Sequence, residues 1–316
     1  AIGMTLDPIH PPGTNLCNVD GAIVAAAAAT VPVLDRGFLF GDSIYEVLRT
    51  RGGRLLAWRQ HLDRLRQSAD ALAMELDLDD GEILRRVLAT MQRAGFAESY
   101  VRVVVTRGTG SAPSIDLRSA PGPLRWVVMV RALPAAEPLA RLAVIGRLRN
   151  DRRALDPAAK SGNYLNNVLG LAEARRAGAT DCVFLNGDGH VTEASTSNVF
   201  AVFGDRFATP PLGAGLLAGV TRATLIGFLR AGGQTVDERD LDAAALRSAD
   251  ELFLTSTLRD IAPVSHLDGR PLHPIDGGGG GGPRSTALAA AFAAHLDRQA
   301  EVDDAAARRV AGLDPA

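Results

Sequence analysis

Residues 181–202 read DCVFLNGDGHVTEASTSNVFAV, and their spacing decides the architecture of the second half of the chain. Asp181–Leu185 and Asn198–Val202 are runs rich in aromatic and β-branched residues. Between them, Asn186-Gly187-Asp188-Gly189 supplies the residue types that tolerate positive φ in tight turns. The pattern predicts strands around a hairpin turn, with Glu193 set among small residues just beyond it. Upstream, a helix is expected from about Tyr164 to Ala177, ended by Gly178. Further on come a strand over 141–147, helices after Thr221 and from near Leu241, and a strand over Glu251–Thr255. The run Gly277–Gly282 reads as a flexible loop before a final helix over 284–299.

The first half shows the same mixture. Asn18-Val19-Asp20-Gly21 is a turn between two short strands, and Ile44–Thr50 reads as a strand that Gly52-Gly53 turns back onto Arg54–Trp58. Apolar residues at 62, 65, 69, 72 and 76 give a helical stripe. A second helix is expected over Glu82–Ala94, with Gly95 as its stop, and Tyr100–Thr106 and Trp126–Val130 are Val-rich strands. Leu133-Pro134-Ala135-Ala136-Glu137-Pro138 is the linker candidate. The expected organisation is a small α/β domain over 1–132, a linker over 133–138, a larger domain over 139–300 and a charged, Ala-rich tail over 301–316 that is poorly ordered.

Composition narrows the function. The chain has 316 residues, and its 34 Lys+Arg stand against 36 Asp+Glu, so no cationic excess exists for a nucleic-acid backbone. No uncharged apolar run reaches the roughly 18 residues of a membrane span. Cys17 and Cys182 lie far apart, which argues against a disulfide framework or a Cys-based zinc site and fits a reducing cytoplasm. His10, His61, His190, His266, His273 and His295 show no metal-ligand spacing and read as solvent or structural histidines. Gly277–Gly282 lacks the Lys-Ser/Thr of a phosphate loop. The expectation is a cytoplasmic globular protein without a metal.

One count carries chemistry. Lys160 is the only lysine in the chain; every other basic residue is arginine. A guanidinium, with a pKa above about 12, cannot lose its proton to attack a carbonyl, whereas an amine can. By composition alone a surviving surface charge is the better explanation of Lys160, so its surroundings decide. Its neighbourhood, Ala158-Ala159-Lys160-Ser161-Gly162-Asn163-Tyr164-Leu165-Asn166-Asn167, is a short irregular stretch feeding a helix, which can hold the amine rigidly and lower its pKa for Schiff-base chemistry. Such chemistry with pyridoxal 5'-phosphate also needs a carboxylate for the ring nitrogen and anion donors for the phosphate. Glu193 supplies the first. Gly219-Val220-Thr221 opens a helix, and Thr255-Ser256-Thr257 ends a strand with hydroxyls.

Four segments together resemble the class IV aminotransferases, the fold-type IV enzymes that use pyridoxal 5'-phosphate. They are Lys160-x-x-Asn-Tyr-Leu, Thr-Glu-x-x-x-x-Asn-Val-Phe over 192–200, Leu-x-Gly-Val-Thr-Arg over 217–222 and Glu-Leu-Phe-Leu-Thr-Ser-Thr over 251–257. The run over 35–47 and His61-Leu62-Asp63-Arg64-Leu65 belong to the same pattern, so the likeness spans about 20 to 300. It implies an α/β (α+β) two-domain fold, a small α/β domain with a larger β-barrel-like domain bearing helices. It implies Lys160 as catalytic residue and Schiff-base lysine. The cofactor residues would then be Arg64 on the phosphate, with Val220, Thr221 and Thr257 helping, Tyr164 on the phenolic oxygen, Glu193 on the ring nitrogen and Leu217 on the ring face. Arg64 as a helix-surface charge, Tyr164 as a core tyrosine and Leu217 as plain core are the alternatives. A homodimer is implied too.

The substrate residues implied are Tyr45, Arg49, Tyr100, Arg102, Thr257 and Leu258. Tyr100-Val101-Arg102 resembles branched-chain enzymes, while Tyr45-Glu46-Val47 is similar to D-amino acid enzymes. The Arg-x-His pair those D-specific enzymes carry after Thr-Arg-Gly is missing from Thr109–Asp116, where Arg118 is the only nearby cation. The preferred reading is transfer from a branched-chain or other hydrophobic amino acid to a 2-oxo acid such as 2-oxoglutarate. A D-alanine type enzyme is the alternative; aminodeoxychorismate lyase or a non-catalytic cofactor-binding protein fits less well.

Overall fold

The computed structural model describes residues 10–135, 137, 139–272 and 280–313. Two compact units emerge. The first comprises Ala1–Pro134, Lys160–Asn163 and Leu296–Ala316; the second comprises Ala135–Ala159 and Tyr164–His295. The expected domains ran contiguously along the chain, so the returns at Lys160–Asn163 and Leu296–Ala316 are what they did not include.

In the first unit the order is β1 (Leu16–Val19), β2 (Ala22–Ala25), α1 (Arg36–Phe40), β3 (Ser43–Arg51), β4 (Arg54–Leu55), α2 (Trp58–Ala71), α3 (Asp80–Ala94), β5 (Ser99–Thr106) and β6 (Arg125–Ala132). The sheet runs β2-β1-β6-β5-β3-β4, and its neighbours are antiparallel. Alternation along the strands sorts the two faces. Ile44, Leu48, Val101, Val103, Val105, Val128 and Val130 join Leu62, Leu65, Ile83, Leu84 and Val87 of α2 and α3 in one buried core. Each such side chain contributes about 1.5–3 kcal/mol on burial. The other face carries Tyr45 and Arg49 of β3 beside Tyr100 and Arg102 of β5, with Arg49 directly opposite Tyr100. Strand β4 is only two residues long. The expected strand over Arg54–Trp58 stops there because Ala57, at φ 53°, turns the chain into α2 at Trp58.

The second unit contains β7 (Ala140–Leu148), α4 (Leu165–Arg176), β8 (Asp181–Leu185), β9 (Val191–Ala194), β10 (Asn198–Phe203), β11 (Arg206–Thr209), α5 (Val220–Ala231), β12 (Val236–Glu238), α6 (Ala243–Ser248), β13 (Glu251–Ser256), β14 (Asp260–Leu267) and β15 (Arg270–Pro271). Strands β10-β13-β14-β7-β8-β9 follow one another, and Asn198 pairing with Glu193 closes β9 onto β10. The result is a six-stranded barrel, extended beyond β10 by β11 and β12. Closure removes the exposed edges an open sheet would present. Phe200 and Phe253 stack in its wall with ring centroids 5.0 Å apart.

The last helix, α7 (Pro283–Val310), has 28 residues and corrects the expectation of a helix ending at 299 before a poorly ordered tail. Its start is capped by Glu251, which accepts from Arg284 N and Ser285 N at 2.9 and 2.7 Å. Residues to His295 count with the second unit and those from Leu296 with the first. There, Asp304 accepts from Leu55 N at 3.0 Å and Asp303 from Ala57 N at 2.7 Å. Ala307 and Ala311 enter the core. Small residues at helical spacing and carboxylates used as caps explain why a composition that looked solvated is packed. His273, Gly277–Gly279 and the last three residues of the tail lie outside the described residues. Among the described residues no helix is long and apolar enough to cross a membrane, and no group of three or more His, Cys, Asp or Glu could hold a metal ion.

Candidate active site

In the first unit, Lys160–Asn163 is stitched to the start of β3. Tyr45 N donates to Lys160 O at 2.9 Å and Gly162 N to Ser43 O at 2.7 Å, with an isolated bridge between Ile44 and Ser161. Lys160 N donates to Ser68 Oγ of α2 at 3.0 Å. Gly162 is required: a Cβ there would collide with Ser43 Oγ. Asn163 Nδ2 donates to Gly41 O at 3.0 Å, completing the tether. Backbone bonds on both sides thus hold the lysine, leaving its side chain half-buried.

The amine meets the open face of the sheet. Lys160 Nζ donates to the Tyr45 hydroxyl at 3.3 Å and lies 4.4 Å from the centre of that ring. The Arg102 guanidinium stacks on the same ring at 3.9 Å. Tyr45 is therefore buried by two cations, both attracted to its π-face. Tyr100 carries Arg131 at 4.5 Å in the same way. Arg49 is half-buried, its Nε donating to Thr50 O at 3.1 Å.

Arg64 is buried, which excludes the helix-surface reading. Its Nε and Nη2 donate to Glu46 Oε1 and Oε2, both at 2.7 Å. His61 Nδ1 lies 2.7 Å from Glu46 Oε2. Burial pushes the His61 pKa down against the raising effect of Glu46, so a neutral ring donates its Nδ1 proton to the carboxylate. Glu46 was missed as a site residue although it stands beside Tyr45. Its glutamate spacing along β3 fits a strand equally well, and only the docking of α2 shows its partners.

In the second unit, Glu193 of β9 is buried and fully engaged. Oε1 accepts from Arg149 Nε at 2.8 Å and Oε2 from Leu217 N at 3.1 Å. Arg149 Nη1 donates to Asn166 Oδ1 of α4 at 3.2 Å. Glu193 is thus held in place by a guanidinium on one oxygen and a main-chain amide on the other. Arg149 was invisible in the sequence, one arginine among many with no motif around it.

Asn198 organises the rest. Its Nδ2 donates to Leu217 O at 3.0 Å, and a Cβ on Gly219 would collide with its Oδ1. Gly219 is the N-cap of α5 and offers no side-chain cap, so Val220 and Thr221 begin the helix with main-chain amides where an anion is favoured. Leu217 is half-buried in this segment. Thr257 and Leu258 form the tip between β13 and β14, and Tyr164 stands half-buried at the start of α4. Of the predicted residues, one unit carries Lys160, Arg64, Tyr45, Arg49, Tyr100 and Arg102, and the other Glu193, Leu217, Val220, Thr221, Thr257, Leu258 and Tyr164.

Comparison with known proteins identifies the family. The amino-transferase class IV profile matches residues 43–267. A provisionally named branched-chain-amino-acid aminotransferase of Methanocaldococcus jannaschii is 34% identical over 256 residues, covering 81% of this chain and 88% of that protein. The D-alanine aminotransferase of Listeria innocua is 32% identical over 254 residues, covering 79% and 87%. The crystal structure of a branched-chain aminotransferase from Thermoproteus uzoniensis with norvaline superposes with a TM-score of 0.80 at 28% identity, covering 92% of this chain and 97% of that one. By sequence and by fold, this chain is a member of the class IV aminotransferase family.

Proposed function

We propose that the enzyme moves the amino group of a branched-chain or other hydrophobic L-amino acid to a 2-oxo acid such as 2-oxoglutarate, with pyridoxal 5'-phosphate attached at Lys160. The observation that carries this reading is the placement of the chain's only lysine, tethered by its backbone on both sides with its amine on the Tyr45 hydroxyl. The residues present fit the cofactor. Glu193 is a buried carboxylate paired with Arg149 at 2.8 Å, and glycine at 219 leaves the start of α5 without a side-chain cap.

When bound, the cofactor supplies an electron sink that weakens the bonds at the substrate α-carbon. The chain does the rest. Lys160 Nζ would hold the cofactor and would be the group that moves the proton at the substrate α-carbon. Tyr45 orients that amine through its hydroxyl. Glu193 would pair with the ring nitrogen, and Tyr164 and Leu217 are assigned to the phenolic oxygen and ring face. Arg64, the amides of Val220 and Thr221, and Thr257 are assigned to the phosphate. Arg49 and Arg102, on the open face beside Tyr45 and Tyr100, are the candidate partners for substrate carboxylates.

A second reading, a D-amino acid enzyme, draws on Tyr45-Glu46-Val47 and on the similarity to D-alanine aminotransferases. Against it, Arg107 is committed to Asp42, Leu72 O and Ala73 O, and Arg118 is exposed and paired with Asp116. Neither is placed as a carboxylate trap. Steady-state rates with L-leucine and with D-alanine, each against 2-oxoglutarate and pyruvate, decide. Faster turnover of L-leucine supports the proposal; activity with D-alanine alone overturns the substrate class. No spectral change of the cofactor with any amino acid overturns the catalytic reading. The same reading carries a homodimer, which sedimentation measures directly.

A further inference from the structure

At one end of the barrel two hairpin tips lie on neighbouring strands. The first, Ser195–Ser197, is closed by Ala194 N donating to Ser197 O at 2.8 Å. The second, Thr257–Arg259, follows the last β13–β14 pair, Ser256 with Asp260. Because β10 and β13 are antiparallel with Asn198 opposite Thr255, both tips fall at the same end.

Asp181, at the start of β8, joins them. Its Oδ1 accepts from Ser195 N at 3.0 Å and from Cys182 N at 2.9 Å, and its Oδ2 accepts from Arg259 Nη1 at 2.9 Å. The Asp181 side chain is 1% exposed while that of Arg259 is 26% exposed. Asn167 Nδ2 of α4 adds a bond to Ser195 O at 2.8 Å. One buried carboxylate is therefore satisfied by three donors from three separate segments. Such a node has a single low-energy arrangement, since moving any donor strands buried charge.

Arg259 is itself the third residue of the tip that carries Thr257 and Leu258. A hairpin tip is ordinarily the most mobile part of its strands. Here its own side chain folds back along the barrel end and ties it down, while Arg259 N closes the turn on Ser256 O at 3.3 Å. We infer that Asp181 and Arg259 are a positioning pair that sets the location of Thr257 and Leu258, and through them the grip on the anionic groups of cofactor and substrate. The inference rests on the proposed aminotransferase activity. It adds two residues outside the set assigned to cofactor and substrate, acting through the tip. A receptor for a carboxylate or phosphate loses most of its value when displaced by a fraction of an ångström, so loosening the tip weakens binding before it affects chemistry.

The test compares the holoenzyme with Arg259→Ala, Arg259→Lys and Asp181→Asn. Asp181→Asn keeps an oxygen acceptor for Ser195 N and Cys182 N, so it carries the test if Arg259→Ala folds poorly. Hydrogen–deuterium exchange is read over 195–197 and 256–260, together with KM and kcat for donor and acceptor. Arg259→Ala and Asp181→Asn are expected to speed exchange at both tips and to raise KM about tenfold with kcat within about twofold, and Arg259→Lys to restore part of the loss. Unchanged exchange, or unchanged KM in both variants, overturns the inference. So does a fall in kcat with KM preserved, because a purely structural defect reduces active enzyme without loosening substrate. If the wild-type protein itself shows no half-reaction, the aminotransferase reading falls and the inference falls with it. Failure of the inference alone is recognised by a wild type that turns over and variants that match it.

Discussion

Glu46 grips Arg64 at two points, each at 2.7 Å, and the carboxylate that does so is completely buried. Burial alone would raise the Glu46 carboxyl. The Arg64 guanidinium beside it, with hydrogen bonds from Arg64 and His61, outweighs burial and takes it from its ordinary 4.5 down to about 2. A carboxyl whose pKa is lower in the folded state stabilises the fold above its unfolded value. That contribution is lost as pH falls through the folded value. Wild-type stability is therefore expected to decline between about pH 4.5 and pH 2 more steeply than that of Glu46→Gln, measured by denaturant titration at each pH. At neutral pH the substitution leaves Arg64 as an uncompensated buried charge and costs about 3 kcal/mol. Parallel acid profiles for the two proteins would refute the assignment.

Arg149 does for Glu193 what Arg64 does for Glu46. Arg149→Met leaves the buried Glu193 carboxylate with only the Leu217 amide among its described partners. The loss is expected to reach about 3 kcal/mol in stability. Without the guanidinium the Glu193 side chain is also free to leave the position from which it would meet the cofactor's ring nitrogen in the proposed reading. Cofactor affinity, followed by titration into the apoenzyme, is expected to fall by about tenfold or more. An affinity equal to wild type would contradict the role given to Glu193.

Tyr45→Phe separates two contributions of one side chain. The ring remains between Lys160 and Arg102, so the packing is kept, while the hydroxyl that receives Lys160 Nζ is gone. Turnover is expected to drop about three- to tenfold, the effect of one hydrogen bond, with the thermal midpoint unchanged. Equal kcat values would show that the contact has no part in placing the amine.

Gly162→Ala tests whether the backbone tether places Lys160. The added methyl collides with Ser43 Oγ and comes within 3.2 Å of Gly41 O, so the Ser43 hydroxyl must turn away or the 160–163 segment must move off β3. Turnover is expected to fall by more than about tenfold, because small displacements of a reacting group are costly. Adding Ser43→Ala removes the colliding oxygen and is expected to recover much of the loss. A double variant no better than the single one would mean the damage arises elsewhere.

Composition drew attention to Lys160 as the only side-chain primary amine, but its irregular setting and the family resemblance, not the count, made it the candidate Schiff-base lysine. The turns at Asn18–Gly21 and Asn186–Gly189 were legible, since tight turns demand residues that accept positive φ, but the second leads into β9 (Val191–Ala194), where the reading placed no strand before Asn198. Glu193 and the start of α5 were reached from the groups that cofactor chemistry needs, and Arg64 by resemblance; neither route gives their partners. Strand β14 went unread because Pro263 interrupts its pattern, and the end of α7 because charged, Ala-rich composition imitates a solvated tail. The two carboxylate clamps, Glu46 on Arg64 and Glu193 on Arg149, belong wholly to the tertiary structure. So does Asp181, whose donors lie at 182, 195 and 259. Arginine is abundant here and nothing local marks one that will be buried. A charge becomes functional only when folding removes the water around it and leaves a single partner within reach.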